Sequence, residues 1–525
     1  FFSRSIMSTK AALRIVSIND VYELTNLPRL RTLVRSVTSP DVRTLTFVNG
    51  DFLSPSLLSS MDKGRSMVQC LNRVPVTHVC FGNHEGDVGL AEMKRRVQEF
   101  QGVWLNSNLS SLTPQWHLKP YDVVTTNCGR RVGLLGLLLD DPLAYPKGKF
   151  KGNTVDPVIT SARQWAEHLR HHENVDAIIP LTHQSLESDK LLASSGLGLK
   201  AIFGGHEHEL IQEKVGDCLI LKAGMNCTDA IVADVAFEPS GDWSITTEVH
   251  KVGDYDLDPQ MEEFVGAQME LVKMFEKEVI IDLPPGHPLL PLSSVRTRLQ
   301  QTSVGALICT ACRKELGADV AVINGAPIKG NRVYTNAQIT YSQLKEELPF
   351  PTKMVVVNMP GPVLAEAVRY SRHNGSPEEE KRGYLQCDEG VVVDSANQIT
   401  HIQGQPFDSS KVYSVALPRN LLNGFCAITP LTQFGESMEQ PEADNFLPAF
   451  HLVMSYYSKM IWKRMGAFDS IDTDHDGQIT RKELEEAYLL RTGTPPSPNL
   501  IDSMMAALDE DHDGTISEKE YCALG

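Results

Sequence analysis

The chain has little that would direct it to a membrane or to nucleic acid. No run approaches the roughly 18 consecutive apolar residues that a membrane-spanning helix needs, and the longest, Val132–Leu139, has the length of a buried strand. Lys and Arg number 49 against 66 Asp and Glu, a formal net charge of −17. This acidic balance disfavours nucleic acid as a main partner. The sequence therefore predicts neither a membrane span nor a nucleic-acid partner.

The cysteines give no sign of a disulfide framework, because the ten of them are scattered along the chain. Their pattern favours a reducing compartment. Cys309 and Cys312 have CxxC spacing, but they lie in an apolar helical pattern and are interpreted as neighbours on adjacent helical turns. We expect a cytoplasmic location. A secreted or organellar location stays open, because the sequence does not begin with Met and a removed signal segment would leave no trace.

At 525 residues, the chain is too long for one hydrophobic core. Alternating β-rich and helical segments predict an α/β (α+β) class with a layered α/β domain at residues 12–252. A linker at 253–289 contains a charged helix and a Pro-rich stretch, and a second α/β domain follows at 290–440. Residues 455–525 form a separate lobe, because 14 acidic residues stand against 4 basic ones between Gly466 and Gly525.

The first domain shows polar segments that follow its predicted strands. Ligands of open α/β sheets bind beyond the carboxyl ends of strands, so these segments are candidates for one site. The predicted strands are Leu13–Ile18, Thr44–Val48, Val76–Phe81, Arg131–Leu137, Ala177–Leu181 and Ala201–Phe203, and the predicted helices include Asp87–Gln101 and Pro157–His171. The polar segments are Ser17–Tyr22, Asn49–Phe52, Phe81–Asp87, Leu181–Gln184 and Gly204–His208.

These segments supply enough donors for two metal ions. Each segment alone is a weak signal, but five of them in this order at strand ends are specific. Two neighbouring cations can clamp a phosphate and lower the pKa of a water molecule. The candidate ligands are Asp20, Asp51, Asn83, His183, His206 and His208.

The motif order resembles that of the calcineurin-like metallophosphoesterases, and specifically the 5'-nucleotidase family, over roughly residues 12–435. The resemblance implies a four-layer sandwich followed by a 5'-nucleotidase-type C-terminal substrate domain. It implies hydrolysis of phosphate monoesters, with nucleoside 5'-monophosphates or related nucleotides as the expected substrates. Two divalent or mixed-valence transition metal ions, Zn, Mn or Fe, are the implied cofactors, and a small-molecule phosphomonoester is the implied partner.

The same resemblance implies roles for the site residues. Asp51 would bridge the two ions, Asp20 and His208 would bind one, and the other would take Asn83, His183 and His206. His84 and Asp87 would be catalytic: His84 assists the leaving oxygen, and Asp87 orients it. An imidazole held by a carboxylate stays correctly oriented for proton transfer.

One departure from the family pattern affects the first motif. The family has Asp-x-His there, and this chain has Asp20-Val21-Tyr22. Tyr22 is interpreted in three ways: as a phenolate ligand that favours ferric iron, as a non-ligand that leaves the ion weakly held, or as a mark of lost activity. In the last case the chain would be a catalytically weak calcium-binding scaffold that keeps the phosphatase fold.

The second domain carries the candidate substrate residues Asn324, Lys329, Tyr384 and Phe425. Asn324 to Lys329 resembles the family's Asn-Gly-Gly-Gly-Ile-Arg segment, with Lys in place of Arg. Tyr384 and Phe425 resemble the two aromatics that sandwich a nucleobase, although the second segment is shortened. Both rings are equally interpretable as packing residues, in which case a phosphorylated sugar or glycerate-type substrate is the alternative.

Two twelve-residue loops in the acidic lobe have every feature of EF-hands, which predicts Ca²⁺ as a further cofactor and partner. Carboxylates stand at positions 1, 3 and 5, glycine at 6 and glutamate at 12, as calcium coordination requires. Position 8 is isoleucine in both loops, which predicts that the loops pair through a short β contact. The candidate ligands are Asp472, Asp474, Asp476, Gln478 and Glu483 in the first loop, and Asp509, Asp511, Asp513, Thr515 and Glu520 in the second.

Overall fold

The computed structural model describes residues 11–112, 116, 118–145, 150, 152–275, 279–373, 381–442, 445–462, 466–493, 495–496, 498–509, 511 and 513–522. Its contacts divide the chain into two compact units, the first made of most residues up to Gln268 and the second of Met269 onward. This division falls inside the predicted linker, where a helix spans Pro259–Phe275. Among the described residues, no helix has the length and apolar character needed to cross a bilayer.

The first unit contains two six-stranded sheets. Their orders are β12-β11-β1-β2-β3-β4 and β5-β6-β7-β8-β10-β9. The strands are β1 (Leu13–Ile18), β2 (Arg43–Asn49), β3 (His78–Cys80), β4 (Val103–Leu105), β5 (Tyr121–Thr125), β6 (Arg131–Leu138), β7 (Ala177–His183), β8 (Ala201–Gly205), β9 (Leu210–Val215), β10 (Cys218–Ala223), β11 (Asp229–Phe237) and β12 (Trp243–Lys251). The helices are α1 (Leu27–Val37), α2 (Leu57–Asp62), α3 (Arg65–Arg73), α4 (Leu90–Glu99), α5 (Val158–His171), α6 (Leu186–Ala193) and α7 (Pro259–Phe275).

The two sheets pack face to face around one apolar core. Because side chains alternate between the faces of a strand, Ile15 and Phe47 point inward from the first sheet and meet Ile179 and Phe203 of the second. The outer face of the second sheet packs against α5 and α6. Helices α1 and α3 each bury one apolar side. The layer order is therefore helix, sheet, sheet, helix, and the predicted four-layer α/β class is confirmed.

The strands that precede the polar segments run in parallel. In the first sheet β1, β2 and β3 are parallel neighbours, and in the second sheet β6, β7 and β8 are. Parallel strands bring their carboxyl ends to one edge of a sheet, where open α/β folds bind ligands. All six predicted strands exist, and no end differs from its prediction by more than two residues.

The predicted helix Asp87–Gln101 is wrong at its start. A 3₁₀ turn spans Asn83–Val88, and α4 begins only at Leu90. Gly89 separates them because its φ of 82° and ψ of 154° cannot continue a helix. The sequence prediction also passed over the hairpin strands β9 and β12, whose alternating exposed polar residues resemble loop sequence.

The second unit contains a four-stranded sheet of order β18-β23-β15-β19. Its core lies between this sheet and the helices Gly361–His373 and Thr429–Glu436. The strands are β13 (Val279–Asp282), β14 (Leu292–Ser293), β15 (Val320–Asn324), β16 (Val333–Tyr334), β17 (Gln338–Thr340), β18 (Met354–Pro360), β19 (Leu385–Cys387), β20 (Val391–Val393), β21 (Ile399–Ile402), β22 (Gln405–Pro406) and β23 (Val412–Pro418). The helices are α8 (Ser303–Glu315), α9 (Tyr341–Glu347), α10 (Gly361–His373), α11 (Thr429–Glu436) and α12 (Ala449–Trp462).

The acidic lobe follows α12 and has the helix–loop–helix pattern of paired EF-hands. Strands β24 (Gln478–Ile479) and β25 (Ile516–Ser517) join the two loops, with Ile479 opposite Ile516. The structure therefore has the predicted β contact. The helices are α13 (Phe468–Ile471), α14 (Arg481–Thr492), α15 (Pro498–Leu508) and α16 (Glu518–Cys522).

Candidate metal centre

Five loops at the carboxyl ends of strands bring the predicted ligands of the first unit together. Ligand atoms of Asp20, Asp51 and His183 all lie within 4.8 Å of one another. His183 Nε2 is 3.1 Å from Asp51 Oδ2, and His208 Nε2 is 3.4 Å from Asp20 Oδ1. The predicted segments therefore converge on one buried cluster.

Both aspartates sit in left-handed backbone conformations, with φ of 52° at Asp20 and 53° at Asp51. Their loops hold each other, because the Val21 amide donates to the Asp51 carbonyl oxygen at 2.9 Å. Non-glycine residues rarely adopt this conformation, and such strain is commonly found at functional sites. The turns direct both carboxylates toward the cluster.

Each aspartate has one oxygen fixed by a backbone amide and one directed to the cluster. Asp51 Oδ1 accepts the His84 N–H at 2.8 Å, and Asp20 Oδ2 accepts the His206 N–H at 2.9 Å. The other oxygen of Asp51 faces His183, and the other oxygen of Asp20 faces His208. One oxygen of each carboxylate thus remains directed toward a possible ion.

Glycines allow the close approach of these loops. A Cβ atom on Gly82 would overlap the Asp51 carboxylate, and one on Gly205 would overlap the Asn49 carbonyl oxygen and the His183 ring. Any side chain at either position would push the ligands apart. Only glycine therefore fits at positions 82 and 205 without displacing the neighbouring ligand residues.

His183 is oriented for metal binding by its other nitrogen. Its Nδ1 lies 2.7 Å from the Asn49 carbonyl oxygen, so Nδ1 carries the proton and Nε2 faces the cluster. Burial opposes a charge on this ring, but Asp51 and Asp20 raise the pKa of His183 to about 10. An ion that binds Nε2 would therefore displace a proton.

Asn83 gives the most direct sign of an ion. The residue is fully buried, and in the described part of the chain neither atom of its side-chain amide has a hydrogen-bond partner. An unsatisfied buried polar group costs about 1–3 kcal/mol. An amide oxygen is a metal ligand, so an ion in the cluster would satisfy the Asn83 oxygen. The donor set therefore fits a metal centre.

His84 and Asp87 form the pair that the sequence predicted. His84 Nδ1 lies 2.5 Å from Asp87 Oδ2, and the Ser54 hydroxyl donates to the same oxygen at 3.1 Å. With Nδ1 held by the carboxylate, Nε2 is the nitrogen that remains for proton transfer. Ser54, which supports Asp87, was not predicted.

Glu85 is a positioning residue that the sequence reasoning missed, although it stands inside the third motif. Its buried carboxylate accepts the backbone N–H groups of Asp51, Phe52, Leu53 and Gly82. Burial and the nearby Asp51 raise the pKa of Glu85 to about 7. Glu85 therefore fixes the loop after β2 to the loop after β3.

Lys222 was also missed, and it lies fully buried behind the histidine loops. Its Nζ donates to the carbonyl oxygens of Gln184 and Gly205, at 2.7 and 2.9 Å. Asp189, whose Oδ2 is 2.9 Å away, and Glu207 are its charge partners. Burial opposes the ammonium charge, but these carboxylates raise the pKa of Lys222. The sequence signal that could have identified Lys222 is a single lysine inside the apolar strand β10.

Tyr22 places its hydroxyl inside the cluster. Tyr22 Oη lies 3.0 Å from Asp20 Oδ1, 3.3 Å from Asp51 Oδ2 and 3.0 Å from His208 Nε2. Burial and the carboxylates of Asp20 and Asp51 raise the pKa of the phenol well above its usual value. Without a cation the phenol therefore stays protonated.

The substrate candidates of the second unit lie on segments that meet. Asn324 Nδ2 donates to the Arg382 carbonyl oxygen at 3.2 Å and lies 3.4 Å from Cys426 Sγ. Phe425 is half exposed, whereas Tyr384 is largely buried. The Arg372 guanidinium lies over the Tyr384 ring, 4.9 Å from its centre, and covers one face of that ring.

Lys329 and two arginines that act on its charge form a cation cluster, of which the sequence reasoning identified only Lys329. Burial together with Arg298 and Arg382 lowers the pKa of Lys329. Mutually repelling cations favour an anion between them. Arg298 and Arg382 stand far apart in the sequence, so no local pattern marked them as a group.

The calcium candidates fall into two groups, one in each loop. Carboxylate oxygens of Asp472, Asp474 and Glu483 lie within 4.8 Å of one another, and the same holds for Asp509, Asp511 and Glu520. The same loops contain the four remaining candidates. Two of them, Asp476 and Asp513, accept a backbone N–H group of their own loop through the side-chain carboxylate. The other two bond each other across the loops, because the Thr515 hydroxyl donates to Gln478 Oε1 at 2.9 Å.

Glu483 shows how the loop is prepared for a cation. Burial alone would raise its pKa, but hydrogen bonds from Thr480 and Thr473 lower the pKa of Glu483 to about 2. The carboxylate is therefore ionised near neutral pH, as calcium coordination requires.

Three family models match the chain in the order of its units. Residues 13–210 match the calcineurin-like phosphoesterase model, 285–431 the 5'-nucleotidase C-terminal domain and 464–524 the EF-hand domain pair. Residues 13–210 are thus a calcineurin-like phosphoesterase domain, a class of metal-dependent phosphoester hydrolases. The chain combines this domain with a 5'-nucleotidase C-terminal domain and an EF-hand pair.

Curated relatives and solved structures agree with these matches. The chain is 23% identical to the trifunctional nucleotide phosphoesterase protein YfkN of Bacillus subtilis, over 69% of this chain but only 28% of that protein. It is 22% identical to the protein UshA of Yersinia enterocolitica, over 73% of this chain and 81% of that protein. The NAD nucleotidase of Haemophilus influenzae superposes with a TM-score of 0.66 at 16% identity, covering 85% of this chain and 96% of that chain. At that identity the structural likeness shows a shared fold.

The Lys222 network generates a prediction about metal retention. Replacing Lys222→Met leaves the carboxylates of Asp189 and Glu207 without their ammonium group. Breaking a buried ion pair costs about 3–5 kcal/mol, and the two histidine loops lose a shared anchor. We expect lower stability in denaturant unfolding and less bound metal per folded chain by elemental analysis.

Lys190→Gln is the matched control, because Lys190 pairs with Glu187 and Glu213 away from the cluster. It should keep its metal content. Wild-type stability and metal content in Lys222→Met would contradict the positioning role.

Proposed function

We propose that the chain hydrolyses phosphate monoesters at a two-metal centre in its first unit. The observation that carries the proposal is the convergence of Asp20, Asp51 and His183 on one buried cluster. The buried, unsatisfied Asn83 amide adds to it, because the next residue along the chain, His84, donates its N–H to Asp51. In this assignment Asp51 would help to hold both ions. Asp20 and His208 would hold one of them, and Asn83, His183 and His206 would hold the other.

The donor set is suited to ions such as zinc, manganese or iron, because it combines imidazole nitrogens with carboxylate and amide oxygens. Such a pair supplies Lewis acidity toward a phosphate ester and increases the acidity of water held nearby. The protein contributes the fixed donor positions. His84, held through Nδ1 by Asp87, donates a proton from Nε2 to the leaving oxygen, which allows an alcohol to depart from phosphorus.

For the substrate, we favour nucleoside 5'-monophosphates or related nucleotides. The cation cluster of Arg298, Lys329 and Arg382 suits the negative charge of a phosphorylated molecule, and the half-exposed ring of Phe425 can stack on a base. The Bacillus relative is named a nucleotide phosphoesterase and the Haemophilus protein an NAD nucleotidase, which supports this choice. A phosphorylated sugar or glycerate is the alternative, since Tyr384 has one face covered.

For the lobe, we propose that each EF-hand loop binds one calcium ion. The support is the clustering of acidic oxygens in both loops and the glutamate at position 12, which binds calcium with both oxygens.

The catalytic roles predict different outcomes for two substitutions. His84→Gln should lower kcat by about 10²–10⁴-fold, the usual contribution of a general acid, while metal content stays normal. Asp51→Asn should lose both metal and activity, because it removes the shared ligand. Hydrolysis of p-nitrophenyl phosphate and elemental analysis measure the two quantities.

His250→Gln is the control for these variants, because His250 Nδ1 bonds the Tyr255 hydroxyl, and neither residue belongs to the cluster. Full activity in His84→Gln would exclude its role in proton transfer.

The substrate proposal is tested by comparing AMP with glucose 1-phosphate and 3-phosphoglycerate. Stacking of a base on an aromatic ring contributes about 1–3 kcal/mol. Phe425→Ala should therefore raise KM for AMP by about 5–150-fold and leave the two other substrates unchanged. Tyr384→Ala tests the second ring, and Val392→Ala replaces an exposed residue of β20 as a control. Preference for a base-free substrate, unaffected by either ring, would favour the alternative.

Calcium binding is tested by calorimetric titration of the full chain. We expect two ions per wild-type chain and one in Glu483→Gln or Glu520→Gln, because each substitution weakens the bidentate ligand of one loop. Glu486→Gln, on α14 outside both loops, should still bind two. An unchanged stoichiometry in both loop variants would refute the assignment.

A further inference from the structure

The backbone of the turn that carries Tyr22 is fixed by Asn226, in the loop after β10. The Asn226 side-chain oxygen accepts the Tyr22 N–H at 2.9 Å, and the Asn226 N–H donates to the Asp20 carbonyl oxygen at 2.9 Å. The Tyr22 ring also makes an edge contact with His208, with ring centres 5.5 Å apart. The position of the hydroxyl is therefore set by the loop after β10 as well as by its own turn.

The distances from the Tyr22 hydroxyl to its polar neighbours match those between donor atoms that bind one metal ion. Donor atoms bound about 2.0–2.2 Å from one ion lie roughly 2.8–3.6 Å from each other in octahedral or tetrahedral arrangements. Tyr22 Oη is 3.0 Å from Asp20 Oδ1 and 3.0 Å from His208 Nε2, and these two atoms are 3.4 Å apart. Asp51 Oδ2 lies 3.3 Å from Tyr22 Oη, within the same range.

The two halves of the cluster differ in charge. The half around Tyr22 contains two carboxylates and one imidazole, and a phenolate would add a third anionic oxygen. The other half contains an amide and two imidazoles beside the shared Asp51. Hard, anionic oxygen donors select hard cations, whereas imidazoles suit divalent ions such as zinc.

From this geometry and charge asymmetry, we infer that Tyr22 is a phenolate ligand and that its half of the centre selects a trivalent ion such as Fe³⁺, with a divalent ion in the other half. Ligation exchanges the phenol O–H bond for an oxygen–metal bond, and the proton leaves to solvent. The ion enters as Fe³⁺, so no electron is transferred. The inference rests on the proposed metal centre and specifies its asymmetry.

The test uses the metal-free full chain loaded with Fe³⁺ and Zn²⁺, with absorbance and metal content as readouts. Phenolate bound to ferric iron absorbs visible light, so wild type should develop a visible band with one iron and one zinc per chain. Tyr22→Phe should lose the band and most of the iron. Tyr22→His, which supplies a nitrogen donor instead, should lose the band and shift the content from iron toward zinc.

Tyr145→Phe is the matched control, because the Tyr145 hydroxyl donates to the Leu139 carbonyl oxygen; it should keep the band. Iron binding without a Tyr22-dependent band, or equal iron content in wild type and Tyr22→Phe, would overturn the inference. The proposed function has its own contrary outcome. A coloured protein loaded with both metals that hydrolyses no phosphate ester would refute hydrolysis, while the assignment of Tyr22 as a ligand would still hold.

Discussion

The left-handed turns at Asp20 and Asp51 are the constraint on which the rest of the candidate metal centre depends. Each turn reverses the chain directly after a parallel strand and commits one carboxylate oxygen to a backbone amide of another loop. The second oxygen of each carboxylate then faces a histidine, His183 for Asp51 and His208 for Asp20. Such backbone strain persists only where surrounding contacts over-determine it, and here the contacts come from the 3₁₀ turn after β3 and the loop after β8. Four strand ends from two sheets are thereby fixed relative to one another.

A buried electrostatic arrangement supports this constraint from behind. The front of the site is rich in carboxylates that repel one another without a cation, whereas Lys222 provides a permanent positive charge on the far side of the histidine loops. Because Lys222 contacts backbone carbonyl groups next to both His183 and His206, it links charge balance to ligand position. The ammonium thus has a structural function that a neutral side chain of similar size cannot reproduce.

Sequence reasoning found the parts of the site that follow from local chemistry. The six ligand candidates each stand at or just beyond the end of a strand, and the rule that parallel strands align their carboxyl ends predicts that they group together. The EF-hand loops were equally readable, because their ligands lie within twelve consecutive residues. Glu85, Lys222 and the Arg298–Arg382 group were missed because their roles depend on contacts between residues distant in sequence. The start of α4 was misplaced for a local reason, the backbone conformation of Gly89, which residue identity alone does not determine.

The four N–H groups gathered by Glu85 have a consequence for how the centre distinguishes between ions. Since this carboxylate joins the loop after β2 to the loop after β3, the Asp51 and His84 segments cannot move independently. A preorganised site of this kind reorganises little when an ion or a substrate arrives. Ion selection then depends on the chemical hardness of the donors and scarcely on adaptation of the polypeptide. With Tyr22 as a ligand, as we infer, exchange of a single donor atom would be sufficient to change the preferred element.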